Sequence, residues 1–529
     1  MATTSEQSDS NINSGKKDSA TQTWNRVAVE EVVSAIQSVC TLPESLIKAV
    51  LAVCLSVRLN LPSSLWLMVI GVPSSAKTDL VNFLRSSKFT YFIDTLTQNP
   101  FASGYVAPEG QKTYDMLPEL NNKCFIVKDY TTIFSLNSET VKKLLGELVS
   151  IYDGQFKKFS PTRGLKEYIT NFSHVGCITP TALNRHTHYM NIIGPRFLFY
   201  RIPKLNAEES KKGFEIAWNE DRKKSLKEIE KLVCEFLNQI VTKLNSEENI
   251  EIDFSDEKIK ANLEQLAIFT SKSRGIVITQ EQTFKDNEDK TVTYHEVVDW
   301  QVEEPWRAFQ QLKGLAIALA LINQTNEISS KEIGILEKIV LSSMPVQRAE
   351  TLECFKKEKT LTSRQLSLLT KKSQRTCQRL LKELQFLDII ESSDPEGAIA
   401  KEYSIKVQYT NLFQTTPSNS VSRLEEELIK NPKEKIRSLL AQEFRLIPDE
   451  DLQLYQKAAG KWLMDNLDQA LTDEYNFINS IWEKIDEENK KRAKKAIKYG
   501  KVDEKTINEL FGSQETSLNE VGEGVSKTL

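Results

Sequence analysis

The chain has 529 residues, of which 40% are hydrophobic and 27% charged, and its formal net charge is −4. That length suits about three domains, the composition is ordinary for a globular protein, and a charge balance so near neutral means that any nucleic-acid surface must be local. Seven scattered cysteines without a C-x-x-C pair indicate neither a disulfide framework nor a zinc site, and no apolar run reaches the ~18 residues that a bilayer span needs, so no membrane partner is expected and the expected compartment is cytoplasmic.

Residues 1–24 are polar and lack an apolar core, so they read as a disordered tail rather than a signal peptide. In the next stretch "VEEVVSAIQSVC" and "PESLIKAVLAVCLSVRL" repeat apolar positions at three- and four-residue spacing. That spacing predicts two helices, with Pro43 in the first turn of the second. Four strand-length apolar runs follow, at 65–71, 91–96, 124–130 and 173–180, separated by helical or loop material. Strands alternating with helices predict an α/β core with a parallel sheet, and their unbroken apolarity predicts burial on both faces. A further strand-like run, "FLFYRI", ends this region near 203. Residues 204–351 are mostly helical, most clearly in "PWRAFQQLKGLAIALALINQ", with a charged, strand-like excursion near 275–300. Residues 352–408 read as a compact unit, and 409–529 as a lysine- and glutamate-rich helical region with a disordered end.

Behind the first apolar run stands "GVPSSAKT", close to the phosphate-loop template G-x-x-x-x-G-K-[ST]. Gly71, Pro73, Ser74, Ser75, Ala76, Lys77 and Thr78 form this candidate loop. Its backbone N–H groups would cradle phosphate, Lys77 would reach the β- and γ-phosphates of ATP, and the Thr78 hydroxyl would hold Mg²⁺. Ala76 replaces the second glycine, which is tolerable if its backbone avoids positive φ. Asp129 ends the run "CFIVKDY", where a carboxylate would bind Mg²⁺ through water. Thr179 ends "GCIT", where a small polar group would orient the attacking water, and Arg196, between a glycine-proline turn and the last strand-like run, suits γ-phosphate sensing.

In this order, "GVPSSAKT", "CFIVKDY", "GCITPT" and "IGPRFLFYRI" resemble an AAA+ ATPase module. More narrowly they resemble the MCM-like helicase branch and its relatives in phage, plasmid and integrated-element replication proteins. The resemblance covers roughly residues 60–350. It implies a P-loop ATPase core over 25–203 with its N-terminal helices, a helical lid over 204–351, and ATP with Mg²⁺ as cofactors. Alanine before the lysine also occurs in that branch. Arg196, followed by Phe197, matches the arginine finger that reaches a neighbour's γ-phosphate, which implies a homo-oligomeric ring, a hexamer. Arg307, at the start of a helix in "EPWRAFQQLKGL", matches the second sensor. One departure stands out: the family has an acidic pair where this chain has Asp129 followed by Tyr130. The base would then be Asp94, Glu147 or Asp153, or hydrolysis would be slow and nucleotide would act as a switch.

Two segments suggest DNA. "DGQFKKFSPTRGLKEY" (153–168) places the turn signal "SPTRG" between two polar-aromatic runs, a hairpin carrying Lys157, Lys158, Arg163 and Lys166. In the MCM-like branch a hairpin there touches DNA in the ring's pore, and basic residues suit backbone contacts. In 352–408, "SRQLSLLT", the turn "KKS" and "QRTCQRLLKELQFL" capped by Ser373 are followed by "DIIES", a "DPEG" turn and "KEYSIKV". This is the pattern of a winged helix-turn-helix. Between 356 and 382 nine cations stand against Glu358 alone, and Lys371, Lys372, Arg375, Gln378, Arg379 and Lys382 are the candidate DNA contacts. The expectation is an ATP-dependent DNA motor, an MCM-like helicase or translocase, in replication of a mobile element or virus. The rival is an ATP-switched DNA-binding initiator or regulator without unwinding activity. A third reading, a protein remodeller gripping a partner through the C-terminal helices, would need an aromatic-hydrophobic pore loop, which the sequence does not suggest. The four histidines show no metal spacing.

Overall fold

The computed structural model describes residues 27–104, 106, 114–186, 193–246, 252–285, 291–356, 358–393 and 401–413, then 455–456, 459, 463 and 473–498. The expected tail, the "DPEG" turn, Lys357, His188 and the expected disordered end lie outside the described residues. The chain divides into two compact units, Met1–Phe413 and Gln414–Leu529.

The first unit is built on five strands: β1 (Trp66–Ile70), β2 (Thr90–Ile93), β3 (Cys124–Val127), β6 (Ser173–Ile178) and β7 (Phe197–Arg201). They lie in the order β2-β3-β6-β1-β7, and every neighbouring pair is parallel. β4 (Gln155–Ser160) and β5 (Gly164–Ile169) form a separate antiparallel hairpin between β3 and β6. Both faces of the sheet are covered, which explains the continuous apolar runs. On β1, Leu67 and Val69 pack into a layer with α1 (Val29–Val39), α2 (Glu44–Ser56) and the later helices. Trp66, Met68 and Ile70 pack into the other layer, with α4 (Met116–Leu120), α5 (Tyr130–Phe134), α6 (Ser138–Tyr152) and α7 (Pro180–Arg185). Truncating any of these side chains to alanine would cost about 2–5 kcal/mol. Pro43 is the N-cap of α2 and stands just outside its first turn.

After β7 the chain is helical at Ala207–Ala217, Arg222–Ser246, Glu257–Ser273, Trp306–Ile322, Ser330–Ser343 and Val346–Cys354. The strand-like excursion is a long antiparallel hairpin, β8 (Ile276–Lys285) with β9 (Thr291–Gln301). Next come β10 (Thr360–Thr362), helices Ser363–Thr370 and Gln374–Phe386, β11 (Ile390–Ser393) and β12 (Glu402–Ile405), with antiparallel order β10-β12-β11. Ser373 accepts from the Thr376 N–H at 3.1 Å, as its capping role requires. Lys371 takes the left-handed conformation, φ 55°, that ends the preceding helix. These elements dock on the helical region through the buried pair Arg348–Glu383 at 3.3 Å and Trp300 against Phe386 at 5.1 Å.

In the second unit, Ile478, Ile481 and Ile485 of helix Asp473–Lys498 are buried, as are Tyr455, Ala459 and Leu463. Asn489 donates to Gln456, which donates to Asp486. Among the described residues no helix is long and apolar enough to cross a membrane.

Candidate nucleotide site

The candidate loop leaves the C-terminal end of β1, where the Gly71 N–H donates to the Ile178 carbonyl of β6 at 3.2 Å. A Cβ on Gly71 would lie 2.4 Å from Ser75 Oγ and 2.9 Å from Ile202 Cδ1, so both side chains would have to move to admit it. Ser74 and Ala76 both take positive φ, 63° and 58°. This corrects the expectation that Ala76 keeps negative φ. The loop adopts the left-handed turn despite the methyl group, at a cost of about 1–2 kcal/mol per residue. The turn also aims its backbone outward. The N–H groups of Ser74, Ala76, Lys77 and Thr78 donate to nothing among the described residues, and Val72, Pro73, Ser74 and Thr78 are exposed. Lys77 opens α3 (Lys77–Asn82), and its ammonium donates to the Gly71 and Val72 carbonyls at 2.7 and 2.8 Å and to Ser75 Oγ at 3.2 Å. Burial pulls that ammonium below its ordinary pKa, against a smaller upward effect of Cys177 and the Asp129 carboxylate.

Asp129 lies two residues beyond β3 as the N-cap of α5, its Oδ1 accepting from the Thr131 N–H at 2.9 Å. Thr132 Oγ1 donates to the carbonyls of both Asp94 and Asp129, which ties the end of β2 to this turn. Thr179 caps α7 in the same way after β6. Lys77, Thr78, Asp129 and Thr179 thus all follow the C-terminal ends of parallel strands, where open α/β sheets place their ligands. Tyr130 turns away from them. It is buried, its hydroxyl is 2.5 Å from His174 Nε2, and its ring covers Gly176, where a Cβ would lie 2.4 Å away. His174, wholly enclosed, has its pKa lowered by burial to about 4. Of the candidate bases, Asp94 is paired with Lys128 at 2.5 Å, Glu147 with Lys158 at 2.9 Å, and Asp153 faces Arg196 at 3.5 Å.

Arg196 stands at the opposite end of the sheet. β1 and β7 run parallel with Trp66 opposite Phe197 and Ile70 opposite Arg201. Arg196 therefore precedes the strand whose far end lies beside the loop, about 15–20 Å of strand away. Its guanidinium donates to the Ile193 carbonyl at 3.0 Å and lies 5.7 Å over the Tyr152 ring. Arg307, 4.0 Å from Glu303, comes to this same end, because Gln311 of its helix donates to the Arg196 carbonyl and both arginines act on Glu303. Burial raises the Glu303 pKa, while Arg274, Arg307 and Arg196 pull it down. Sequence reasoning missed Arg274, Glu303 and Gln311. Gln311, one helical turn beyond Arg307, was open to that spacing argument, whereas nothing local marked Arg274.

The hairpin's cations are largely engaged. Lys157 pairs with Glu167 at 2.9 Å across the strands, and Lys158 reaches Glu147 and the Ala102 carbonyl at 2.7 Å. Arg163 pairs with Asp115 at 2.8 Å, and Asp115 also accepts from Tyr168 and the Ser103 N–H. Burial raises the Asp115 pKa, but these donors outweigh it and the carboxyl is held below its ordinary range. Lys166 is exposed and makes no ion pair among the described residues. The hairpin's outer face instead carries Phe159 and Leu165, paired across the strands, and Ile169, all exposed. An aromatic-hydrophobic surface that the sequence did not suggest is therefore present. On the turn and helix at 371–386, Lys371, Arg375, Gln378 and Lys382 are exposed. Lys372 pairs with Glu350, and Arg379 pairs with Glu383.

No protein-family model matches the chain, and a search of curated proteins finds no match to it.

Proposed function

We propose that the chain is a ring-forming, ATP-dependent DNA-binding ATPase. In this reading it has an AAA+ core, a helical lid over 204–351 and a winged helix over 352–408, and it works as an MCM-like motor in replication of a mobile element or virus. One observation carries the reading: Lys77, Thr78 and Asp129 lie at one end of the parallel sheet and Arg196 with Arg307 at the other. A guanidinium that far from its own loop can serve only a neighbour's loop, so each complete site would need two subunits.

The residues at the loop end fit Mg²⁺–ATP. A Cβ on Gly71 would crowd Ser75 and Ile202, four loop N–H groups lack acceptors among the described residues, and Lys77 supplies a cation. Lys77 would hold the phosphates, and Thr78 and Asp129 would hold the metal. Bound there, ATP supplies the phosphoanhydride and Mg²⁺ neutralises its charge. Thr179 would orient water, and the neighbour's arginines would stabilise charge developing on transfer. DNA would engage the exposed Lys371, Arg375 and Lys382.

The test is complementation. Lys77→Ala should lose most ATP affinity. Arg196→Ala should keep it and lose about 10³ or more in turnover. Mixed rings of the two should regain activity, because one subunit brings the loop and the other the arginine. Mixed rings without recovery would exclude a shared site.

A second reading, an ATP-switched initiator or regulator without unwinding, is favoured by Tyr130, which fills the second acidic position and is committed to the core. Strand displacement on forked DNA, with ATP against a non-hydrolysable analogue, separates the two.

A further inference from the structure

Arg196 ends a single 3₁₀ turn, Gly194–Arg196, that opens on Gly194 at φ 63°. Three successive carbonyls at this turn are held by side chains from elsewhere in the chain. Arg274 donates through Nη1 to the Pro195 carbonyl at 3.4 Å and through Nη2 to the Phe197 carbonyl at 3.1 Å. Gln311 donates to the Arg196 carbonyl at 2.9 Å and to the Tyr152 hydroxyl at 2.8 Å. Both donors belong to the helical region after the sheet. Arg274 caps helix Glu257–Ser273, and Gln311 lies in helix Trp306–Ile322.

These donors are expensive to keep. Gln311 is fully buried and its Oε1 has no partner among the described residues, and the same holds for Arg274 Nε. Burial lowers the Arg274 pKa to about 10, and Glu303, the carboxylate that opposes this shift, makes no hydrogen bond to it. Removing either donor would leave the peptide carbonyls it holds unpaired, at about 1–3 kcal/mol for each group. What the two donors secure is local, the three successive carbonyls of Pro195, Arg196 and Phe197. The donors thereby fix the backbone that carries Arg196.

We propose that Arg274 and Gln311 are positioning residues for Arg196. They fix its turn, and because they sit on the helical region they carry any shift of that region to the arginine. The proposal rests on the reading of Arg196 as the residue that completes a neighbour's site.

The experiment measures ATP affinity and turnover of full-length Arg274→Met, Arg274→Lys and Gln311→Met beside Arg196→Ala, alone and mixed with Lys77→Ala. The expected result is ATP affinity within about twofold of wild type with kcat reduced, since the loop is untouched. Misplacement by about 1 Å can cost about 10² in rate, the size expected for Arg274→Met. Mixing with Lys77→Ala should restore turnover, because those subunits bring a correctly held Arg196. A variant that is merely misfolded loses ATP affinity and cannot be restored this way. If Arg274→Met does not fold, Arg274→Lys and Gln311→Met make the same comparison. Wild-type kcat in the Arg274 and Gln311 variants, with Arg196→Ala impaired, overturns the positioning role and leaves the shared site standing. Wild-type kcat in Arg196→Ala removes both.

Discussion

The β4–β5 hairpin and the helix Gln374–Phe386 look alike in sequence, since each gathers several cations in a short stretch of a chain of net charge −4. Folded, they differ. Three of the hairpin's four cations meet acids: Lys157 meets Glu167, Lys158 meets Glu147 and Arg163 meets Asp115. On the helix, Arg375 and Lys382 are exposed and make no ion pair among the described residues. A cation is usable for phosphate only where the fold leaves no acid within reach. For Arg163 that acid lies 48 residues away, where no local charge count can see it. The hairpin's outer face is thus nearly neutral and apolar, and the helix is the stronger DNA candidate.

The largest effect should therefore come from the helix. Arg375→Ala with Lys382→Ala removes two charge-assisted contacts of about 1.5 kcal/mol each, so DNA affinity at low salt should fall about 10²-fold. The log–log salt slope should drop by about two units. Lys157→Ala with Lys158→Ala should change affinity far less, because those charges are already neutralised. A titration over a salt series reads both, and equal losses from the two pairs would erase the contrast.

Much of this architecture was legible in the sequence because it depends on local periodicity. The continuous apolar runs gave the parallel sheet, and Ser373 marked the start of its helix. Boundaries suffered where polar residues follow a strand directly: Asp129 lies beyond β3 and serves as a cap. The loop was legible as a motif, but the positive φ of Ala76 was not, since the turn imposes a conformation the residue disfavours. What the sequence could not show depends on chain return. Tyr130 points inward because Gly176, two strands' worth of chain later, opens the space for its ring. Helix Trp306–Ile322, which carries Arg307, reaches the Arg196 turn through Gln311 only after the chain has run through three helices and the β8–β9 hairpin.

A smaller effect tests the other half of the contrast. If the hairpin touches single-stranded DNA at all, it should do so by stacking through Phe159, which is 72% exposed. Phe159→Ala should then weaken binding by about 1 kcal/mol, the low end for base–aromatic contacts, with no change in salt slope. A loss accompanied by a flatter slope would mean that the hairpin contacts phosphate after all.

The smallest effect is the most direct, because it should be a gain. Lys157 and Glu167 form a half-exposed pair across the hairpin, and an exposed pair of this kind contributes at most about 1 kcal/mol to stability. Glu167→Gln keeps the shape and leaves the fold nearly as stable, but it releases the Lys157 charge. If pairing alone withholds that charge from DNA, affinity at low salt should rise two- to threefold, and the log–log slope should steepen by no more than about one unit, the value of one phosphate contact. Adding Lys157→Ala to Glu167→Gln should cancel the gain, which separates the freed cation from a general loss of negative charge near the DNA. A gain that survives the double substitution would assign the effect to Glu167 itself repelling the backbone. No gain at all would place the hairpin away from the DNA and leave the helix as the sole contact of the two.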